Sequence, residues 1–374
     1  MNMRFFQRVE NLLLFLVVYC VAYACRNTAA SVPPRRMLLV AAGKLGDVVC
    51  TTPVMQAVRK NLPHAQLYIE DTSGLNEKLL ANTRLADKFL SLPGVLSSVR
   101  ILRAENVDTV CLTGPSFRYL AIALLARVPN IVVPLVHGGF CPQQTYPYRH
   151  LLRFVKTFPY AFGAYAPRER LRVLEPFGVY AEDTTKHLNY SDEARKNADA
   201  FLRAHNLVEK KFAIISPSAG NKIKNWPADR FARVAEYLVG RGISVAVIGG
   251  KRDIEEVAAM MQAVENTESI IDASEEFSID ELKAFIAQAG LFVAVDTGPI
   301  YIAEAFGVPT VDIVGPMDER EQPPRGEKHL VVIPRRVAPQ LHIMNARVYD
   351  EREARKQIEE ITVETVTSTI DKLV

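Results

Sequence analysis

Residues 291–314 read LFVAVDTGPIYIAEAFGVPTVDIV, and the order of events within them decides the fold. Leu291 to Val295 is an apolar run of strand length. Asp296, Thr297, Gly298 and Pro299 then supply a cap, a glycine and a first-turn proline. Gly307 and Pro309 end the helix that follows, and Thr310 to Val314 forms the next strand. Strand, loop, helix and second strand in this order make up the unit from which parallel α/β sheets are built.

The same unit recurs upstream. Phe212 to Ser216 is a strand, followed by the loop Pro217 to Asn225 and a helix from Pro227, and Ile243 to Ile248 leads into Gly249-Gly250 and an acidic helix. A polar stretch, Tyr190 to Lys211, separates this series from an earlier one. There, Met37 to Ala42 runs into Gly43-Lys44-Leu45-Gly46-Asp47, and Thr52-Pro53 opens a helix with Val54, Ala57, Val58 and Leu62 on one face. Gln66 to Glu70, Asp108 to Leu112 and Ile131 to Val136 are further strands. The expectation is an α/β chain of two Rossmann-like domains with mostly parallel sheets, over 37–190 and 191–345. A leading segment, 1–36, and a terminal helix in 346–374, amphipathic from Ile361 to Leu373, flank them. Sheets of this kind bind ligands beyond the carboxyl ends of their strands, so the site is expected in the loops of a central cleft.

Composition narrows the function. The chain has 374 residues, with 45 Lys and Arg against 42 Asp and Glu; a net charge of +3 argues against a dedicated nucleic-acid binder. Five cysteines without C-x-x-C spacing make neither a disulfide framework nor a zinc site, and suit a reducing, cytosolic setting. The seven histidines are scattered without ligand spacing to Cys, Asp or Glu, so no metal site is expected.

Three loops carry candidate chemistry. In Gly43-x-x-Gly46-Asp47 the glycines would let backbone approach a ligand. Asp47 either caps a helix or serves as the base that takes a proton from an attacking hydroxyl. In Ser216 to Pro227 (SPSAGNKIKNWP), Lys222 and Lys224 precede a helix start, where the dipole repels cations unless an anion lies between them. Ser218 and Gly220 fit the same phosphate-binding reading; two solvated surface lysines is the alternative. In the third loop, Asp296, Thr297, Gly298 and Pro299 present a helix start that would stabilise a departing diphosphate, with Asp296 or Thr297 needed as the cap in any case. More weakly, the loop Gly249 to Glu256, with Gly250, could place Asp253 or Glu256 to accept a ribose hydroxyl, or is simply an acidic first turn.

At these loops the sequence resembles glycosyltransferase family 9, the ADP-heptose:lipopolysaccharide heptosyltransferases. The resemblance rests on Leu45-Gly46-Asp47-Val48-Val49 with Thr51-Thr52-Pro53, on Lys224-Asn225-Trp226-Pro227, on Asp296 to Pro299 followed by Ala303 to Pro309, and on Gly315-Pro316. It implies a GT-B fold, inversion at the anomeric carbon without a metal, Asp47 as general base, and Lys224 and the Asp296 loop at the donor diphosphate. ADP-heptose is the implied donor, with another nucleotide sugar as the alternative. The chain departs from the family pattern at Tyr301, where a histidine is usual, and at Met317, where threonine is common.

Tyr146 to Arg172 is aromatic and basic, with Arg149, Arg153 and Lys156 as acceptor-side candidates for a lipopolysaccharide-core or related glycolipid, or for an anionic membrane surface. Leu12 to Cys25 (LLLFLVVYCVAYAC) is apolar, with Arg4 and Arg8 before it and Arg26 after it. As a helix it spans roughly 20 Å, against ~30 Å for a hydrocarbon core. It reads as a signal-peptide core, a buried helix, or a short or tilted membrane anchor or interfacial helix, with a membrane anchor the expectation because a nucleotide-sugar donor is cytosolic. Ser31 to Arg36 is then a linker, and the enzyme works at the cytoplasmic face of the inner membrane. Two rivals stay open: an NAD-dependent oxidoreductase, for which the full glycine fingerprint is lacking, and a non-catalytic sugar-nucleotide binder. The oligomeric state is not legible.

Overall fold

The apolar runs become twelve strands, six in each of two all-parallel sheets, in a computed structural model that describes residues 3–24, 33–41, 43–266 and 268–374, with side chains from residue 12 onward. The chain divides into two units.

The first unit holds β1 (Arg36–Val40), β2 (Gln66–Glu70), β3 (Lys88–Leu90), β4 (Thr109–Leu112), β5 (Asn130–His137) and β6 (Lys156–Ala161), in the order β3-β2-β1-β4-β5-β6. Leu38 pairs with Tyr68 on one side and Val110 on the other. The second holds β7 (Phe212–Ser216), β8 (Ser244–Val247), β9 (Ile270–Asp272), β10 (Leu291–Val295), β11 (Thr310–Ile313) and β12 (His329–Val332), in the order β12-β11-β10-β7-β8-β9. Counted from its own first strand, it repeats the topology of the first sheet. In each, the order reverses beside the first strand, between β1 and β4 and between β7 and β10, and such a reversal leaves a crevice at the carboxyl ends. The central strands are apolar because helices cover both faces: all five residues of β7 and of β10 are buried.

The units are not cut at one point. Lys44–Cys50 and Lys78–Thr83, although they follow strands or helices of the first unit, pack with Thr185–Val374. The C-terminal end is two helices, Glu351–Glu360 and Val363–Ile370, the second opened by Thr362, whose hydroxyl accepts from the Thr365 amide.

The N-terminal segment is one helix, Met3–Ala24. Phe15, Val18 and Ala22 enter the core of the first unit beside residues of the helix Phe117–Ala126. Burying Phe15 and Val18 contributes on the order of 1.5–3 kcal/mol each. Among the described residues no helix is long and apolar enough to cross a membrane. Cys25, Arg26 and the first two linker residues, Ser31 and Val32, lie outside the described residues. Cys50, Cys111 and Cys141 are buried thiols and Cys20 is an exposed one.

Candidate active site

β7 and β10 are neighbours at the reversal of the second sheet, and the loops leaving their carboxyl ends carry most of the candidate residues. After β7 the chain makes a short turn, Lys222–Lys224, before the helix Ala228–Gly240. The turn is pinned from below by Ile223, which packs with Val314, Met317, Leu341 and Ala354. Met317 is thus buried under the lysine-bearing turn.

Lys224 reaches the loop after β10. Its ammonium donates to the Asp296 carboxylate at 2.8 Å and also to the Asp296 carbonyl. The Tyr301 hydroxyl donates to the other carboxylate oxygen of Asp296. Asp296 is therefore not a helix cap, and neither is the Thr297 side chain: Thr297 occupies the cap position of the helix Gly298–Ala305, with Pro299 in its first turn, but makes no side-chain capping bond. The expectation that one of them caps is corrected, because the carboxylate is turned back to the ion pair. Tyr301, standing where histidine is usual, is buried; burial, then the charges of Asp296 and Asp312, holds its phenol well above the ordinary value. Asp312 of β11 is fully buried, and neither carboxyl oxygen has a hydrogen-bond partner among the described residues. Burial, then the charge of Asp296, pushes its pKa well above the ordinary carboxyl value.

Lys222 also meets carboxylates. It lies 3.2 Å from Asp253 and 2.8 Å from Glu256, and donates to Ser218 Oγ at 3.2 Å. Ser218 donates to Asp253, whose second oxygen accepts from the Gly250 amide at 3.1 Å. Asn225 donates to Glu256 at 3.2 Å. Burial opposes ionisation of Asp253, but Ser218, Gly250 and Lys222 outweigh it and hold the carboxyl below its usual value. Both lysines expected to face an anion are held by acids instead, so an incoming anion must share or displace these partners. An ammonium has three donors, and Asp296 takes two of those on Lys224.

Asp47 joins this unit through the short helix Leu45–Val49. It is not in an open loop: it sits in the first turn, where its carboxylate accepts the Lys44 amide at 2.9 Å. Thr51 opens the next helix, Thr52–Asn61, without a side-chain cap. Nor do the glycines simply make room for a ligand. A Cβ on Gly46 would lie 2.8 Å from the Tyr301 ring, and one on Gly298 would lie 2.8 Å from Leu45. Gly46 and Gly298 let Leu45–Val49 close onto the start of Gly298–Ala305. Gly43, at φ +131°, is the one whose backbone requires glycine.

Lys44 was quoted in the motif but given no role. Its ammonium donates to the Gly220 carbonyl at 2.8 Å, bringing it to the lysine loop. Burial, then the charge of Lys224, lowers its pKa; Asp47 pulls it back and Arg252 lowers it further. Lys44 is thus repelled by both Lys224 and Arg252 within one unit.

The acceptor-side candidates belong to the first unit. Arg149 lies in the helix Tyr146–Leu151, Arg153 in the turn Leu152–Phe154 and Lys156 in β6. Arg153 lies over the Tyr19 ring and Lys156 beside Phe177. One histidine does meet acids, which linear spacing could not show: His342 Nδ1 is 3.3 Å from Asp318 and 3.6 Å from Glu321. Arg320 holds the Asp318 carboxyl below its usual range once burial is overcome, and against burial the two acids raise His342 to about 9. The trio is an imidazolium bridging two carboxylates.

Comparison with known proteins gives this geometry a context. The model of glycosyltransferase family 9 (heptosyltransferase) matches residues 165–347. Lipopolysaccharide heptosyltransferase 3 of Escherichia coli (strain K12) is 28% identical over 288 residues, covering 73% of this chain and 80% of that protein. A family 9 glycosyltransferase from Veillonella parvula superposes with a TM-score of 0.71 at 23% identity, over 93% of this chain and 99% of that one. Escherichia coli ADP-heptose lps heptosyltransferase II gives 0.70 at 16% identity, over 90% and 98%. The structural likeness is one of fold, the GT-B arrangement of two α/β units.

Proposed function

Taking this glycosyltransferase as a member of family 9 through its residues 165–347, we propose that it carries out an inverting, metal-independent transfer of heptose from ADP-heptose to a lipopolysaccharide-core or related glycolipid, at the cytoplasmic face of the inner membrane. The observation that carries the reading is the gathering, in one unit at the reversal of its sheet, of a carboxylate (Asp47), three ammonium groups (Lys44, Lys222, Lys224) and the start of the helix Gly298–Ala305.

Glycosidic bond formation asks two things of a protein without a Lewis acid. A base must take the proton from the acceptor hydroxyl as the C–O bond forms, and the proposal gives that role to Asp47. The diphosphate must be stabilised as the anomeric bond breaks. Lys224, with one donor beyond those bound to Asp296, Lys44 at its shoulder and the helix dipole at Gly298 supply that charge. Direct displacement by the hydroxyl, with no enzyme nucleophile, inverts the centre. The names of the relatives support heptose and a lipopolysaccharide acceptor.

A calorimetric panel of ADP, GDP, UDP and NAD, with and without EDTA, tests this. Binding of ADP that is indifferent to EDTA and weakened by Lys224→Ala is expected. Preference for GDP or UDP would change the sugar, and binding of NAD alone would overturn the proposal.

A further inference from the structure

The helix Met3–Ala24 has two apolar sides, and only one is covered. Phe15, Val18 and Ala22 are locked into the first unit's core, whereas Leu12, Leu13, Leu16, Val17 and Tyr23 are 50–59% exposed. At 100° per residue the buried three fall on one arc and the exposed five on the opposite one. A helix held in this way cannot be drawn across a bilayer without stripping the core; it can only lie flat on something apolar.

The charge around it says what that is. From Thr109 to Arg168 the chain contains no Asp or Glu, although it has 42 in 374 residues, and it contains Arg118, Arg127, Arg149, Arg153, Lys156 and Arg168. This stretch supplies both helices against which Met3–Ala24 packs, Phe117–Ala126 and Tyr146–Leu151. One basic group is seated against the helix directly: Arg153 lies over the Tyr19 ring and donates to its hydroxyl at 3.4 Å, while Phe15, on the buried side, meets the rings of Tyr146 and His150 edge-on. Arg149, Arg153 and Tyr146 are themselves exposed. An apolar strip with a cation at its edge, packed on a stretch of chain that carries basic groups and no Asp or Glu, matches an anionic bilayer surface, where an interfacial helix sinks into the acyl boundary while the basic groups meet headgroups.

We propose that the exposed side of Met3–Ala24, with Arg149 and Arg153, docks the enzyme flat on anionic lipid. The purpose of such docking rests on the reading of a membrane-borne acceptor, but its test does not, because vesicle binding needs neither donor nor turnover. The full chain is floated with vesicles of phosphatidylcholine alone and with one-third phosphatidylglycerol. Salt-sensitive binding to the anionic vesicles is expected. Leu16→Glu with Val17→Glu should abolish it, and the milder Leu16→Gln with Val17→Gln should weaken it, with circular dichroism and turnover on a water-soluble acceptor unchanged. Arg149→Ala with Arg153→Ala should lower partitioning about 25-fold, at about fivefold per charge. Equal binding to both vesicle types, undiminished binding of the glutamate variant, or a dimer in solution that the glutamate variant dissolves would overturn the proposal, the last by showing that a second copy covers the strip.

Discussion

Replacing Lys224 by methionine is the sharpest test of the ion pair at the centre of the site. The pair is nearly closed to water, with side-chain exposures of 15% for Lys224 and 6% for Asp296. Removing the ammonium leaves Asp296 buried, with Tyr301 the remaining donor to its side chain among the described residues and with Asp312 behind it. Leaving one member of a buried pair uncompensated costs about 3–5 kcal/mol. The expected destabilisation is therefore about 4 kcal/mol at pH 7. Trp226, the sole tryptophan, is buried and donates to the Ile361 carbonyl at 2.9 Å, so its fluorescence reports urea unfolding of this unit. Adding Asp296→Asn to Lys224→Met should recover part of the loss. A loss below about 1 kcal/mol, or strict additivity in the double variant, would refute the reasoning.

Asp47→Asn keeps an acceptor for the Lys44 amide but removes the proposed base, so turnover should fall at least ~100-fold while nucleoside diphosphate affinity, by calorimetry, is unchanged. Gly46→Ala drives a methyl against the buried Tyr301 ring and should cost ~1–3 kcal/mol in urea unfolding. Gly240→Ala, with open space at the end of its helix, should instead gain ~0.5–1 kcal/mol. His342, raised to about 9 by Asp318 and Glu321, lends stability that is fully present below its unfolded value of 6.5 and is lost as pH rises through about 9. The stability gap between wild type and His342→Gln should accordingly shrink between pH 6 and pH 9.5 in parallel denaturation curves, and a gap that widens would reverse the assignment.

The central strands were legible because burial on both faces forces an unbroken apolar run; β7 and β10 fall on the runs Phe212 to Ser216 and Leu291 to Val295. The four strands that escaped, β3, β6, β9 and β12, are the two edges of each sheet. An edge strand is short and half exposed, so its sequence, as in Lys156–Ala161 with its exposed Thr157 and Pro159, carries no such run. The site was legible at the level of loops, where cap, glycine and proline have local meanings. Its partnerships were not: that Lys224 would meet Asp296, or His342 meet Asp318, is fixed by strand order. One signal was on the page, the lone carboxylate of Asp312 inside the apolar run Thr310 to Val314, which announces a buried acid without naming its neighbours.

The loan of Lys44–Cys50 to the C-terminal unit has a consequence for anyone dividing the gene. A piece beginning at Thr185 would contain the donor-side lysines, Asp296 and the whole second sheet, yet it would lack the seven residues that cover the ring of Tyr301 and the start of its helix. Such a half would present a hydrophobic scar where the native protein carries its own plug, and would be short of Asp47 as well. Supplying Lys44–Cys50 as a separate peptide would be a complementation experiment on a split enzyme, with one fragment restoring both the packing and the carboxylate that the other is missing.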